Sequence, residues 1–279
     1  MADVEMKSWL AAFEKQMRAG FGNRVRFLGL QGSRARGEAH EGSDIDVVVV
    51  LDEVSICDLA QYRALLDRLP HRALVCGFVA GEQELRCWDA AELLQFYFDT
   101  VPVYGTLDFL RPALTPHSAR RAALSGACGI YHACAHNYVH ARSTKALQGL
   151  CKAALFVLRA QHYCETGTFL RTGRELKAAL AGQAADVLRG AQAFAAGAAG
   201  FEETCGLLLS WAGALIRRYG AAPQATRPMG RGGRFGPRPG RPGRFAHCQT
   251  APARCIIELP KPQCIEKEGL CPWHILIAS

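Results

Sequence analysis

Two aspartates one residue apart, Asp44 and Asp46, open the apolar run Val47-Val48-Val49-Val50-Leu51. Side chains of an extended strand alternate between its faces, so both carboxylates point one way while Ile45 and Val47 point the other. Neighbouring carboxylates repel unless a divalent cation lies between them, and Mg2+ takes oxygen ligands that it shares readily with nucleotide phosphates. A spacer of ten residues, 34 to 43, separates this pair from Gly32-Ser33. A glycine at such a turn lets backbone N–H groups approach phosphate oxygens, and the Ser33 hydroxyl adds a donor. Arg34 and Arg36 place guanidinium groups in the spacer, where a loop wrapped around a triphosphate profits from them. Ser43 stands just before the first aspartate, a position from which a hydroxyl orients a turn. Gly32, Ser33, Arg34, Arg36 and Ser43 are therefore the candidate nucleotide ligands, and Asp44 and Asp46 the candidate metal ligands.

These residues need a scaffold, and the hydropathy pattern supplies one. Val4, Trp9, Leu10, Phe13 and Met17 recur at near-helical spacing over residues 4 to 19, ahead of a strand from Arg24 to Leu30. After the acidic strand, Ile56, Leu59, Tyr62, Leu65, Leu66 and Leu69 give a second helix that stops at Pro70. Arg72 to Ala80 reads as a third strand, and Asp89 to Asp99 as a helix with a broad apolar surface. Pro102 and Gly105 then interrupt the pattern. From Pro116 onward no strand is expected. Long helices are expected over 117 to 141, 144 to 165 and 201 to 219, with shorter ones between 171 and 196; the stripe Leu147, Leu150, Cys151, Ala154, Leu155, Leu158 is the clearest.

A Gly-Ser turn, a spacer and an Asp-x-Asp strand, with a strand on either side, resemble the nucleotidyltransferase superfamily related to DNA polymerase β. The ten-residue spacer is similar to that of minimal nucleotidyltransferases and aminoglycoside adenylyltransferases. The resemblance covers roughly residues 20 to 110. Helical spacing beyond Pro116 and the composition from Gly220 onward give an all-α helical bundle (113–220) and a disordered Arg/Gly/Pro-rich tail (221–279), while the resemblance implies that an α/β nucleotidyltransferase domain with a mixed sheet (1–112) precedes them. It also implies that Asp44 and Asp46 hold magnesium against a nucleoside triphosphate, polarise the α-phosphorus and stabilise the departing pyrophosphate.

The family usually adds a third acid on the following strand, as a metal ligand or as the base for the acceptor hydroxyl. Residues 73 to 80 contain none; Val75, Cys76 and Gly77 occupy the centre. Glu82, Glu84, Asp99 and Asp108 are near in sequence and read as solvated loop acids. Of these, Asp108, between Leu107 and Phe109, is the candidate inward carboxylate and completes the catalytic set Asp44, Asp46, Asp108. His132, His136 and His140 align on one helix face and read as a polar lining of an interdomain cleft rather than as metal ligands.

Composition limits the partners. The formal charge is +8, but residues 221 to 279 carry seven Arg and two Lys against three Glu, so +6 belongs to the tail and the rest is nearly neutral. A long-range basic field around the first domain is not supported. The segment 227 to 245 interleaves Arg and Gly with Phe and Pro, a composition that cannot propagate helix or sheet. It is similar to RNA-binding low-complexity segments, and also to an unselected tail. No apolar run is long enough to span a bilayer and no signal peptide pattern opens the chain, so a cytoplasmic protein without a membrane partner is expected. The twelve cysteines read as reduced, mostly buried thiols; Cys248, Cys255, Cys264 and Cys271 lack the close pairs of a zinc ribbon.

The function expected is transfer of a nucleoside monophosphate, AMP foremost, to a hydroxyl of a small molecule or a protein. The alternatives are a non-catalytic nucleotide-binding or antitoxin-like module, and an RNA-binding protein acting through its tail. A nucleic-acid partner is not expected otherwise. The helical half lacks an Arg-x4-6-His ribonuclease signature within a helix, so an RNase activity there is not expected.

Overall fold

The computed structural model describes residues 5–221. The expected disorder and RNA contacts of the tail, and its four cysteines, lie outside the described residues.

The alternation seen in the sequence builds a mixed four-stranded sheet. β1 (Val25–Gln31), β2 (Ile45–Leu51), β3 (Val75–Gly81) and β4 (Val101–Tyr104) stand in the order β3-β2-β1-β4. β1 runs antiparallel to both β2 and β4, whereas β2 and β3 are parallel. β4 is an element that Pro102 and Gly105 hide from pattern reading. A proline is tolerated there because β4 is, among the described residues, an edge strand with a partner on one side only.

Each face of the sheet has its own core. Ile45, Val47, Val49 and Leu51 pack with Val25, Leu28 and Leu30 under α1 (Met6–Phe21), whose Trp9, Phe13, Met17 and Phe21 are buried at helical spacing. The Trp9 indole N–H donates to the Pro70 carbonyl at 2.8 Å, which ties α1 to the turn after α3 (Ile56–Leu66). The apolar residues that α3 buries are Leu65 and Leu66, and Asp58 is buried with them; Ile56 and Leu59, read as part of the helix's apolar pattern, are exposed. The other face carries Phe27, Val48 and Val50. They pack against Leu93 and Phe96 of α5 (Ala90–Asp99), Leu85 of α4 (Glu82–Arg86), and Leu107 and Leu110 beside a 3-10 turn. Between β1 and β2 the chain makes a five-residue helix, α2 (Gly32–Arg36), closed by Gly37 in the left-handed region.

Beyond Pro116 the described residues are all helical or irregular. α6 (Pro116–His136), α7 (Thr144–Thr166), α8 (Gly173–Ala179), α9 (Gly182–Ala195) and α10 (Phe201–Gly220) enclose a core that includes Ile130, Leu147, Leu158, Val187, Leu208 and Trp211. The expected 117–141 helix ends at His136 and continues as one π turn, Asn137–Ala141. Leu94 of α5 joins this core while Leu93 and Phe96 face the sheet, so α5 is shared by both. No helix among the described residues is long and apolar enough to cross a membrane. No disulfide joins the eight cysteines of the described residues, but only Cys134, Cys151 and Cys205 are buried; Cys57, Cys87 and Cys128 are exposed, against the expectation of mostly buried thiols.

Candidate nucleotide and metal site

β2 alternates so that Asp44, Asp46, Val48 and Val50 share one face. Val48 and Val50 are wholly buried, Asp46 is half-buried and Asp44, one residue ahead of the strand, is exposed. The apolar face of the sheet thus ends in two carboxylates. Asp46 pairs across the ladder with Gln31, the last residue of β1. One residue further on, Gly32 has φ +73°, and a Cβ there would stand 2.0 Å from Asp46 Oδ2. The carboxylate is seated against a backbone that only glycine leaves open. The Gly-Ser turn and the Asp-x-Asp strand, ten residues apart in sequence, are in contact through this pair.

Burial, then the Asp44 carboxylate, raises the pKa of Asp46 to about 6, against the pull of Arg36 and Arg34. Two hard oxygen donors in an electrically strained pair match a small divalent cation of the magnesium type, which needs only one or two protein carboxylates when phosphates complete its shell. Among the described residues no group of three or more His, Cys, Asp and Glu side chains is placed to hold a metal.

The spacer is a clamped loop. Arg34 donates from Nε to the carbonyls of Ser43 and Asp44, both at 3.2 Å, and from Nη2 to that of Ser43 at 2.9 Å, pinning the far end of the loop to its start. Ser43 Oγ accepts from the His40 N–H at 2.9 Å, so this serine orients the turn. Arg36, only 14% exposed at its side chain, donates from Nη1 to Asp99 Oδ2 at 2.6 Å and from Nε to Glu38 at 2.9 Å. Burial works against its charge, but the carboxylates of Asp99 and Glu38 outweigh it and raise its pKa. Both guanidiniums expected at a triphosphate are engaged within the protein. Ser33 is half-buried in α2, and its carbonyl accepts from the Glu38 N–H.

The acids expected beyond the pair fall differently. Asp108 is exposed, not inward: it sits on the 3-10 turn and accepts from Thr106 Oγ1 at 3.0 Å and from the Tyr97 hydroxyl at 3.2 Å. Asp99, read as a solvated loop acid, is buried at the end of α5 and near enough to Asp46 to raise its pKa. Among the described residues its Oδ1 has no hydrogen-bond partner. On β3 the residue paired with Asp46 and sharing its face is Cys76. A thiol therefore stands where a third strand carboxylate would face the pair.

Sequence reading missed the helical half's part in this site. Arg159, buried in α7, donates to the carbonyls of Leu170 and Arg171, holding the segment that leads into α8. Its burial, then the nearby Arg36, lowers its pKa to about 10. Arg171 Nη2 reaches the Asp99 carbonyl at 3.4 Å, and the Gly173 N–H donates to Glu38 Oε1 at 2.6 Å. Nothing in residues 159 to 173 announces these contacts, since they rest on distant chain segments meeting. His132, His136 and His140, by contrast, are all exposed, with successive ring centroids 6.3 and 4.8 Å apart.

Residues 10–105, which hold the turn, the spacer and the acidic strand, match the family model described as a nucleotidyltransferase domain. This part of the chain is a nucleotidyltransferase domain. Over 50 residues the chain is 46% identical to the protein adenylyltransferase MntA of Thermococcus cleftensis, a match that covers 18% of this chain and 48% of that protein. The chain thus spans about half the length of the curated relative it matches. Among solved structures, the spectinomycin adenyltransferase AAD(9) from Enterococcus faecialis, with ATP and spectinomycin, aligns over 76% of this chain and 99% of its own, at 14% identity and a TM-score of 0.47. A toxin-antitoxin structure with AMP-PNP aligns over 38% of this chain and 80% of its own, at 20% identity and a TM-score of 0.29.

Proposed function

We propose that the nucleotidyltransferase domain transfers a nucleoside monophosphate, AMP foremost, from a nucleoside triphosphate to a hydroxyl. The observation that carries this reading is the seating of the Asp46 carboxylate on Gly32, beside Asp44. In the reaction the acceptor oxygen attacks the α-phosphorus, the bond from that phosphorus to the bridging oxygen breaks, and pyrophosphate leaves as the hydroxyl proton is lost. Asp44 and Asp46 would hold magnesium, which when bound withdraws electron density from the phosphate oxygens and offsets the charge that builds on pyrophosphate. Gly32 and Ser33 form the turn against the triphosphate. Arg34 and Ser43 position the loop, and Arg36 fixes it to Asp99 while lending the site positive charge. The acceptor is a small-molecule or protein hydroxyl; the adenylyltransferase likeness of the 50 matched residues favours AMP.

A second reading, a nucleotide-binding or antitoxin-like module without turnover, is favoured by one observation: Cys76 occupies the position on β3 that faces Asp46. The two readings part in one experiment. The full chain is incubated with magnesium, ATP labelled at the α-phosphate and a panel of aminoglycoside and protein acceptors. Label transfer that falls about a hundredfold or more in Asp44→Asn or Asp46→Asn supports the enzyme. Bound nucleotide without transfer to any acceptor supports the module.

A further inference from the structure

α5, α6 and α7 enclose a cleft of about 200 Å³ that the transfer chemistry above does not use. Leu94, Ile130, Val157 and Ala160 form its buried floor, and Phe156 and Phe169 its half-exposed walls. The space exists because small side chains face each other across α6 and α7. At Gly126 the smallness is required, for a Cβ would stand 2.5 Å from Val157 Cγ2. At Gly129 it is not: a Cβ there would meet nothing within 4 Å, although glycine in the middle of a helix is unfavourable relative to alanine. α6 therefore leaves open room that its own packing does not need.

The rim carries the polar groups. Asp89 is paired with Arg121 at 2.7 Å, which neutralises both. Glu92 accepts from the Trp88 indole N–H at 2.6 Å, and among the described residues no cation is paired with it. The rim thus keeps one negative charge above an apolar floor, and two phenyl rings line the cleft: Phe169, one face of which is stacked on Phe98 at 4.7 Å, and Phe156, whose ring centroid lies 5.7 Å from the Arg159 guanidinium. An apolar cavity of roughly 150 Å³ takes a benzene ring, so this one holds a single ring with a short side chain. Aromatic walls favour a flat ring, and the surplus carboxylate favours a cationic head.

We propose that this cleft is a binding site for a small aromatic amine, with the ring against Phe156 and Phe169 and the ammonium group at Glu92. The proposal concerns binding alone and stands apart from the transfer reading.

Three probes of one shape separate its parts: 2-phenylethylamine, phenylacetamide and phenylacetate, titrated into the full chain by calorimetry and protein-observed NMR. The amine is expected to bind with one-to-one stoichiometry, roughly fivefold more tightly than the carboxylate. Glu92→Gln should remove that preference while leaving the amide unchanged. Gly129→Leu, which fills the space from α6, and Ala153→Leu, which fills it from α7, should each abolish binding of all three; circular dichroism reports that each variant is folded, and one folded variant suffices. Unsaturable binding of the amine to the wild-type chain, equal affinity for amine and carboxylate, or unchanged binding in a folded filled variant would overturn the proposal.

Discussion

Gly32 does two things at once: it takes a left-handed conformation that other residues resist, and it leaves the volume in which the Asp46 carboxylate rests. Gly32→Ala is therefore expected to cost transfer more than fold. The methyl group must push Asp46 off its seat, so transfer should fall by about tenfold or more, while backbone strain lowers stability by about 1 kcal/mol; label transfer and urea unfolding of the same preparation read the two effects. At this scale the sequence was most informative. Asp44 and Asp46 were legible because a strand's period of two dictates which side chains share a face. Arg34 and Arg36 were legible as loop cations, but their partners were not. A guanidinium finds whichever acceptors folding brings near, and here those are the Ser43 and Asp44 carbonyls and the Asp99 carboxylate. Asp108 misled because alternation was assumed for a segment that turns as a 3-10 helix.

α3 shows how an element is fixed by its ends as well as by its buried face. Ser55 and Asp58 form a reciprocal capping box, and Arg24 from the turn before β1 donates to both oxygens of Asp58 and to Asp52. The hydrogen bond and charge of Arg24, with the hydrogen bonds of Ser55, hold the Asp58 carboxyl well below its usual range. A depressed pKa in the folded state gives stability that is present above the unfolded value of about 3.9 and is lost as pH falls through the folded one. Asp58→Asn should therefore lower the urea midpoint at pH 7, and the gap from wild type should narrow as the pH falls below about 4. A gap independent of pH would show that packing, not charge, dominates. Helices were the more legible elements, since apolar spacing marks α1, α7 and α10 plainly. β4 was not, because four residues that include a proline carry too little pattern to separate a strand from a loop.

The whole molecule turns on α5, a helix of ten residues with Leu93 and Phe96 in the sheet's core and Leu94 in that of the bundle. Leu94→Ala is expected to destabilise by about 2–4 kcal/mol. Because the helix is common to both cores, a probe in the sheet and a probe in the bundle should lose structure at one shared urea midpoint. Two separate transitions would show that the halves unfold independently. Such sharing was not legible: a helix with a broad apolar surface announces burial but not the identity of its neighbours. The joining of the spacer loop to α8 through Glu38 and Gly173 is likewise a fact of tertiary assembly, across 135 residues of chain. The edge strand β4 bears on a different question, how the molecule avoids adding to itself. An open sheet margin is a row of unpaired donors and acceptors on which a second polypeptide can continue the ladder. Pro102 has no N–H to contribute to that row. A strand laid along β4 would find the ladder interrupted at its second residue, which discourages edge-to-edge growth of the sheet at the margin beside β1.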